Sequence, residues 1–238
     1  MFIHVIICLV GMALVYILVD QNQIARITNY SSSHSYLVQQ QHNEEQQQQD
    51  HCVIHVHGMH HSGTGFLRQT IYDALGGEAH ASMHQKTHKA EDEGQHIQTV
   101  YPTFYQRARK CGNTTHDVSK AVARRYYCPD LLEIAATQTN ASETLLEEWS
   151  RYWNMTKPYL IQKTPTLDVL FLERMKTYQT VHAIVMRHPF LWRPNVRARN
   201  TAFLRLRIWL DIWAHTLNLL SEHQVEYFAV VQYEVTLP

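Results

Sequence analysis

Apolar and polar positions divide the chain into three stretches of different character. Phe2 to Val19 is an almost unbroken apolar run with only His4 inside it. As a helix it would extend about 27 Å, close to the hydrocarbon thickness of a bilayer, so residues 1–19 are expected to form an uncleaved transmembrane signal-anchor helix. A cleaved signal peptide fits less well, because no Lys or Arg precedes the run and no small-x-small pattern follows Leu18. Over residues 20–51 the apolar period vanishes. Ser31-Ser32-Ser33 and the glutamine-rich tract Gln39 to Asp50 predict a flexible stem, with a prion-like interaction tract as the other reading.

Residues 52–238 read as one folded body. Val53, Ile54 and Val56 make a β-branched run ending at Gly58, which predicts a buried strand over Cys52–His57. Phe66, Leu67, Ile71 and Leu75 recur at helical spacing, predicting a helix over 64–75 that Gly76-Gly77 stops. The stretch 80–94 is polar and irregular. Helices are expected over 117–126, 129–137, 142–153 and 167–178, and a long amphipathic one over 202–223. Further strands are expected over 159–162, 180–186 and 225–232, the second of these being the most strongly β-branched. Strands alternating with helices imply parallel crossovers, hence a three-layer α/β fold with a mainly parallel sheet. Ligands in such folds sit beyond the carboxyl ends of the strands.

Composition narrows what those ends can bind. With 238 residues and 45% hydrophobic content, the chain can bury one core. A formal net charge of +0 argues against nucleic acid as a partner, so an anionic ligand must be met by local basic groups. Four N-x-S/T sequons begin at Asn29, Asn113, Asn140 and Asn154, and with the expected anchor they point to a luminal body in single-pass type II orientation. Cys111 and Cys128 either form one disulfide, with Cys52 left in a strand, or remain buried thiols. The chain holds 17 histidines. His55 and His57 share one strand face beside His60 and His61, but no spaced Cys or carboxylate completes a ligand set, so packed imidazoles are expected and no metal.

Gly58-Met59-His60-His61-Ser62-Gly63-Thr64-Gly65 runs from the first strand of the body into its helix. Glycines there let backbone N–H groups approach an oxyanion, and the helix adds its positive end, which makes a P-loop-like phosphate cradle. A nucleoside triphosphatase would carry Gly-x-x-x-x-Gly-Lys, whereas Thr64 occupies the lysine position, so ATP hydrolysis is not expected.

His61-Ser62-Gly63-Thr64-Gly65 resembles the 5′-phosphosulfate loop of the PAPS-dependent sulfotransferase superfamily, luminal Golgi type (PAPS is 3′-phosphoadenosine 5′-phosphosulfate). That superfamily commonly has Lys or Arg where this chain has His61, which donates a hydrogen bond without a permanent charge. Arg187-His188-Pro189 after the strongest strand resembles the 3′-phosphate element, with Asn195 eight residues on where Ser is usual, and Arg193, Arg197 and Arg199 nearby. Gln162-Lys163-Thr164-Pro165 and Val231-Gln232-Tyr233-Glu234 resemble two further elements, and the likeness spans Val53 to Leu237.

The resemblance implies that His61, Ser62, Gly63, Thr64 and Gly65 hold the phosphosulfate, and Arg187, Asn195 and Tyr233 the rest of the PAPS cosubstrate. For Tyr233 a packing role is an equal alternative. It also implies that His61 and Lys163 stabilise charge during sulfuryl transfer while Glu93, with His96 second, accepts the acceptor's proton. No metal is required. The acceptor is a hydroxyl or amine of a glycan or protein, and the implied location is the Golgi membrane with the body in the lumen. Trp149, Trp153, Trp209 and Trp213 form either a sugar platform or core, their helical spacing favouring core. The chain stops at Pro238, where the superfamily continues with a helix and a basic loop, which suggests a shortened body. The alternatives are a membrane-tethered pseudoenzyme that binds nucleotide or glycan, and a P-loop nucleotide kinase-like protein.

Overall fold

The computed structural model describes residues 3–10, 13–20, 51–84, 92–112, 115–138, 140–175, 178–192, 202–222, 225 and 227–233. The expected stem, 20–51, lies almost wholly outside them.

The expected transmembrane helix does not form. Strand β1 (Ile3–Val10) pairs antiparallel with β2 (Ala13–Asp20), Ile3 opposite Asp20 and Val10 opposite Ala13. Among the described residues no helix is long and apolar enough to cross a membrane. The signal-anchor reading is thereby corrected. Its argument used the length and apolarity of the run, but Ile3, Val5, Ile6, Ile7, Val10, Val15, Ile17 and Val19 are β-branched, and such side chains favour a pleated surface over a helix.

The body is α/β. Five strands, β3 (Cys52–Gly58), β4 (Ala81–Met83), β5 (Tyr159–Thr164), β6 (Gln179–Arg187) and β7 (Phe228–Tyr233), stand in the order β4-β5-β3-β6-β7 with every pair parallel. Helix α1 (Thr64–Ala74) covers one face, where Leu67, Ile71, Tyr72 and Leu75 pack on Ile54, Val56, Ile161 and Ala183. The other face is covered by α2 (Phe104–Lys110), α3 (Val118–Tyr127), α4 (Asp130–Thr137), α5 (Ala141–Ser150), α6 (Val169–Arg174) and α7 (Ala202–Glu222). These are the three layers expected. From β3 the chain first serves the β4–β5 side and then crosses to β6 and β7, so the strand order reverses at the central strand, whose carboxyl end is where such sheets place a ligand.

Within the body, one strand and one helix were not expected. Strand β4 lies in the polar stretch after α1, too short to show a period. Helix α2 is seven residues long and starts at a capping box in which Thr103 and Gln106 satisfy each other's backbone N–H groups. Strand β5 extends two residues further than its apolar run, so Lys163 and Thr164 belong to the sheet.

Of the two cysteine readings, the disulfide is the one observed. Cys111–Cys128 joins the C-terminal ends of α2 and α3 with Cα atoms 5.5 Å apart. It closes a loop of sequence separation 17, so reduction should cost about 3 kcal/mol, read as a lower urea midpoint in dithiothreitol. An unchanged midpoint would mean the cross-link adds nothing. Cys52 stays free in β3, its thiol pushed up to about 11 by burial.

Candidate functional site

The β3–α1 connection closes as a tight cradle. Ser62 N–H donates to the Met59 carbonyl at 3.0 Å, and Leu67 N–H to the Gly63 carbonyl at 3.0 Å. His61 and Gly63 both adopt left-handed backbone, with φ of 61° and 102°. Glycine bears this without strain, whereas His61 is a non-glycine residue held in a sparsely populated region, as is common where a loop is shaped for a ligand. Alternating backbone of this kind turns successive N–H groups toward one concavity. Gly63 is the N-cap of α1 with no side-chain cap, and no acidic residue stands in the first turn, so the positive end of the helix faces the concavity uncompensated. A Cβ at Gly65 would meet nothing within 4 Å, leaving room above the turn. The Ser62 hydroxyl is fully buried and has no hydrogen-bond partner among the described residues.

Arg187, the last residue of β6, turns back to this cradle. Its Nη1 donates to the His61 carbonyl at 2.5 Å, while its Nε is buried without a partner among the described residues. Two indoles hold the frame: Trp192 Nε1 donates to the His60 carbonyl at 2.9 Å and Trp209 Nε1 to the Arg187 carbonyl at 2.8 Å. Two segments expected to bind the cosubstrate are thus in contact.

On the other side of β3, Lys163 is 1% exposed and its Nζ lies 3.2 Å from Glu93 Oε1. The Glu93–Gly94 turn reaches β5 because Gly94 lacks a side chain: a Cβ there would stand 2.6 Å from Gln162 Nε2. Burial by itself pushes the Glu93 carboxyl up, but the His96 hydrogen bond, the Lys163 charge and the Gln95 amide outweigh it and hold the group at about 2. Gln95 Nε2 donates to Glu93 Oε2 at 2.6 Å, and His96 Nε2 lies 3.4 Å from the same oxygen. Lys163, Glu93 and His96, picked from two separate segments, therefore form one cluster. A carboxylate so stabilised has little appetite for a proton, which competes with the role of base expected for it.

Asn195, Arg193, Arg197 and Arg199 lie outside the described residues. So does the side chain of Tyr233, whose backbone pairs with Arg187 across β6 and β7. Trp149 and Trp153 are core: their Nε1 atoms donate to the Gly94 and Ile161 carbonyls at 3.0 and 3.1 Å. Trp213 is buried as well.

Sequence reasoning passed over the brace beneath the site. Arg107 grips Asp168 through two bonds of 2.5 and 2.6 Å, both side chains fully buried. Thr166 Oγ1 donates to Asp168 at 2.8 Å, and the Thr166 carbonyl accepts from Gly58 N–H at 3.3 Å. One ion pair thereby sets both the exit of β5 and the start of the cradle. The only local sign of α2 was its capping box, and nothing in the chain linked positions 107 and 168.

The histidines of the sheet engage one another. His57 Nε2 and His182 Nδ1 are 2.9 Å apart, His182 Nε2 lies 2.9 Å from Glu173 Oε2, and His55 Nδ1 is 3.2 Å from Gln162 Oε1. Burial, reinforced by the neighbouring His182, lowers His55 to about 3 and His57 well below the ordinary imidazole value. Cys111, Cys128 and Asp130 approach one another as a metal set would, but the two sulfurs are joined to each other.

No family model matches the chain, and no curated protein matches it. Among solved structures it is similar to a sulfotransferase domain from the curacin biosynthetic pathway, at 14% identity and a TM-score of 0.34, covering 77% of this chain and 67% of that one. A superposition that loose supports nothing by itself.

Proposed function

We propose that the chain binds PAPS across the carboxyl end of β3 and transfers its sulfuryl group to a hydroxyl of a glycan or protein. The contact between Arg187 and the His61 carbonyl carries this reading. It sets a permanent cation against a left-handed turn whose Ser62 hydroxyl is unpartnered among the described residues and whose helix end is uncapped, a combination suited to a ligand with two separate anionic groups. Residues 61–65 hold the phosphosulfate, and Arg187 the 3′-phosphate, with Asn195 and Tyr233 assigned to the same nucleotide from the sequence. Lys163 faces charge that builds on the sulfuryl oxygens and the leaving phosphate, with Glu93 holding the ammonium in place until the donor arrives. The Cys111–Cys128 bridge and the sequons, Asn154 exposed among them, support an oxidising lumen such as the Golgi as the compartment.

Calorimetric titration with 3′-phosphoadenosine 5′-phosphate tests the reading. Arg187→Ala should weaken binding about 10- to 100-fold, the loss of one charge-assisted pair. Lys163→Ala should act mainly on turnover. ATP binding that survives Arg187→Ala, with no affinity for the bisphosphate, would favour a kinase-like protein instead. One observation favours a non-catalytic binder: Lys163 and Glu93 neutralise each other in the unliganded chain. Binding of the bisphosphate without transfer from labelled PAPS would support that alternative.

A further inference from the structure

His84 follows β4 directly, at the carboxyl edge of the sheet. It is 1% exposed, and neither Nδ1 nor Nε2 has a hydrogen-bond partner among the described residues. A buried polar atom without a partner is rare and costly, and an imidazole carrying two such atoms calls for an explanation. The other imidazoles at this end of the sheet are engaged, His55 with Gln162, and His57 and His182 with each other. The His84 ring lies flat on Trp153, centroids 4.4 Å apart and planes at 27°, so its orientation is fixed by packing.

The placement is specific. Met83, the residue before it, pairs with Ile161, so His84 continues beside Gln162 and Lys163. Arg68, in the second turn of the cradle helix, is close enough to disfavour a charge on the ring, and burial acts in the same direction and more strongly. The imidazole is therefore neutral with a lone pair available, whereas Glu93 is committed to Lys163, His96 and Gln95.

We infer that His84 is the proton acceptor of the transfer, an inference that rests on the PAPS reading. The acceptor's hydroxyl oxygen forms a bond to sulfur. The bond from sulfur to the bridging phosphate oxygen breaks, its electron pair leaving on 3′-phosphoadenosine 5′-phosphate. The hydroxyl proton passes to a ring nitrogen of His84 and from there to solvent. Donor phosphates bound nearby favour the protonated ring and so raise its basicity when it is needed. Two unsatisfied nitrogens are then a cost in stability retained for the reaction.

The test uses the full chain with ³⁵S-labelled PAPS and water as acceptor, reading release of inorganic sulfate, alongside bisphosphate titration and thermal melts. His84→Phe keeps the stack on Trp153 and removes both orphan atoms. It should bind the bisphosphate like wild type, melt at the same or a higher temperature, and release sulfate about 100-fold more slowly. His84→Ala should regain turnover with added imidazole, which should leave wild type unaffected. If His84→Phe binds the bisphosphate and keeps the wild-type rate, or melts markedly lower, His84 is a packing residue and the donor reading stands without it. Bisphosphate binding by wild type with no sulfate release overturns the inference in favour of the non-catalytic binder. Wild type that does not bind the bisphosphate overturns the donor reading itself, and this inference with it.

Discussion

Shifting the protein from pH 7 to pH 5 is expected to remove about 2 kcal/mol of folding stability through His55, with His57 and His84 lowering it further. His55, His57 and His84 are buried as neutral rings, burial being the leading cause in each, with His55 lowered to about 3 and the other two well below the ordinary value. In the unfolded chain all three titrate near 6.5, so below that pH the unfolded state binds more protons and gains on the folded one. The contribution is intact above pH 6.5 and is lost progressively as pH falls, for His55 until about pH 3. At pH 5 His55 costs about 2 kcal/mol, a large share of the stability of an ordinary domain, and His57 and His84 act in the same direction. Below pH 4.5 Glu93 adds to the loss: its folded value is depressed to about 2, so its contribution is present above the unfolded value and disappears as pH drops. Urea midpoints between pH 7.5 and 4.5 measure this. A flat profile from 7 to 5 would show that these rings take up protons inside the fold.

Breaking the Arg107–Asp168 pair is the second large effect. Arg107 also donates from Nε to the Pro102 carbonyl at 3.0 Å, so one guanidinium braces α2 against the loop after β5. Arg107→Met leaves the Asp168 carboxylate fully buried with the Thr166 hydroxyl still donating to it, and the expected loss is about 3–5 kcal/mol. Arg107→Lys should recover little, since an ammonium cannot supply the two parallel bonds. The double variant Arg107→Met with Asp168→Leu should be more stable than Arg107→Met alone, because no uncompensated charge is left inside. Denaturant titration of the three variants reads this directly. A single variant within 1 kcal/mol of wild type would mean that Asp168 finds water. Because Thr166 links Asp168 to Gly58, bisphosphate affinity should fall with Arg107→Met even where the protein remains folded.

The legible parts of the fold were those whose cause lies within a few residues. β3 and β6 were read within a residue or so from β-branched runs, and α1 and α7 from apolar positions three and four apart. β4 escaped because three residues, Ala81-Ser82-Met83, carry no period and owe their strand to β5 alongside. α2 escaped although its capping box stands in the sequence. The first twenty residues misled for a different reason: apolarity marks what avoids water but not whether the chain coils or pairs, and β1 finds its partner in β2.

At the site, the cradle from Gly58 to Gly65 and the cation at Arg187 could be named residue by residue, since glycines, a hydroxyl and a helix start express their geometry locally. Which groups meet, and in which protonation state, was not legible. Glu93 and Lys163 come from segments seventy residues apart, and Arg107 and Asp168 from segments almost as distant. His84 was one histidine among 17 until burial left both its nitrogens without partners among the described residues. Backbone preference acts along the chain over a few bonds, whereas desolvation and Coulomb interaction depend on whatever the folded chain brings within a few ångströms. Strands, turns and the anion cradle are therefore written in order along the polypeptide, and the charge states of the groups around it exist only once the sheet has assembled.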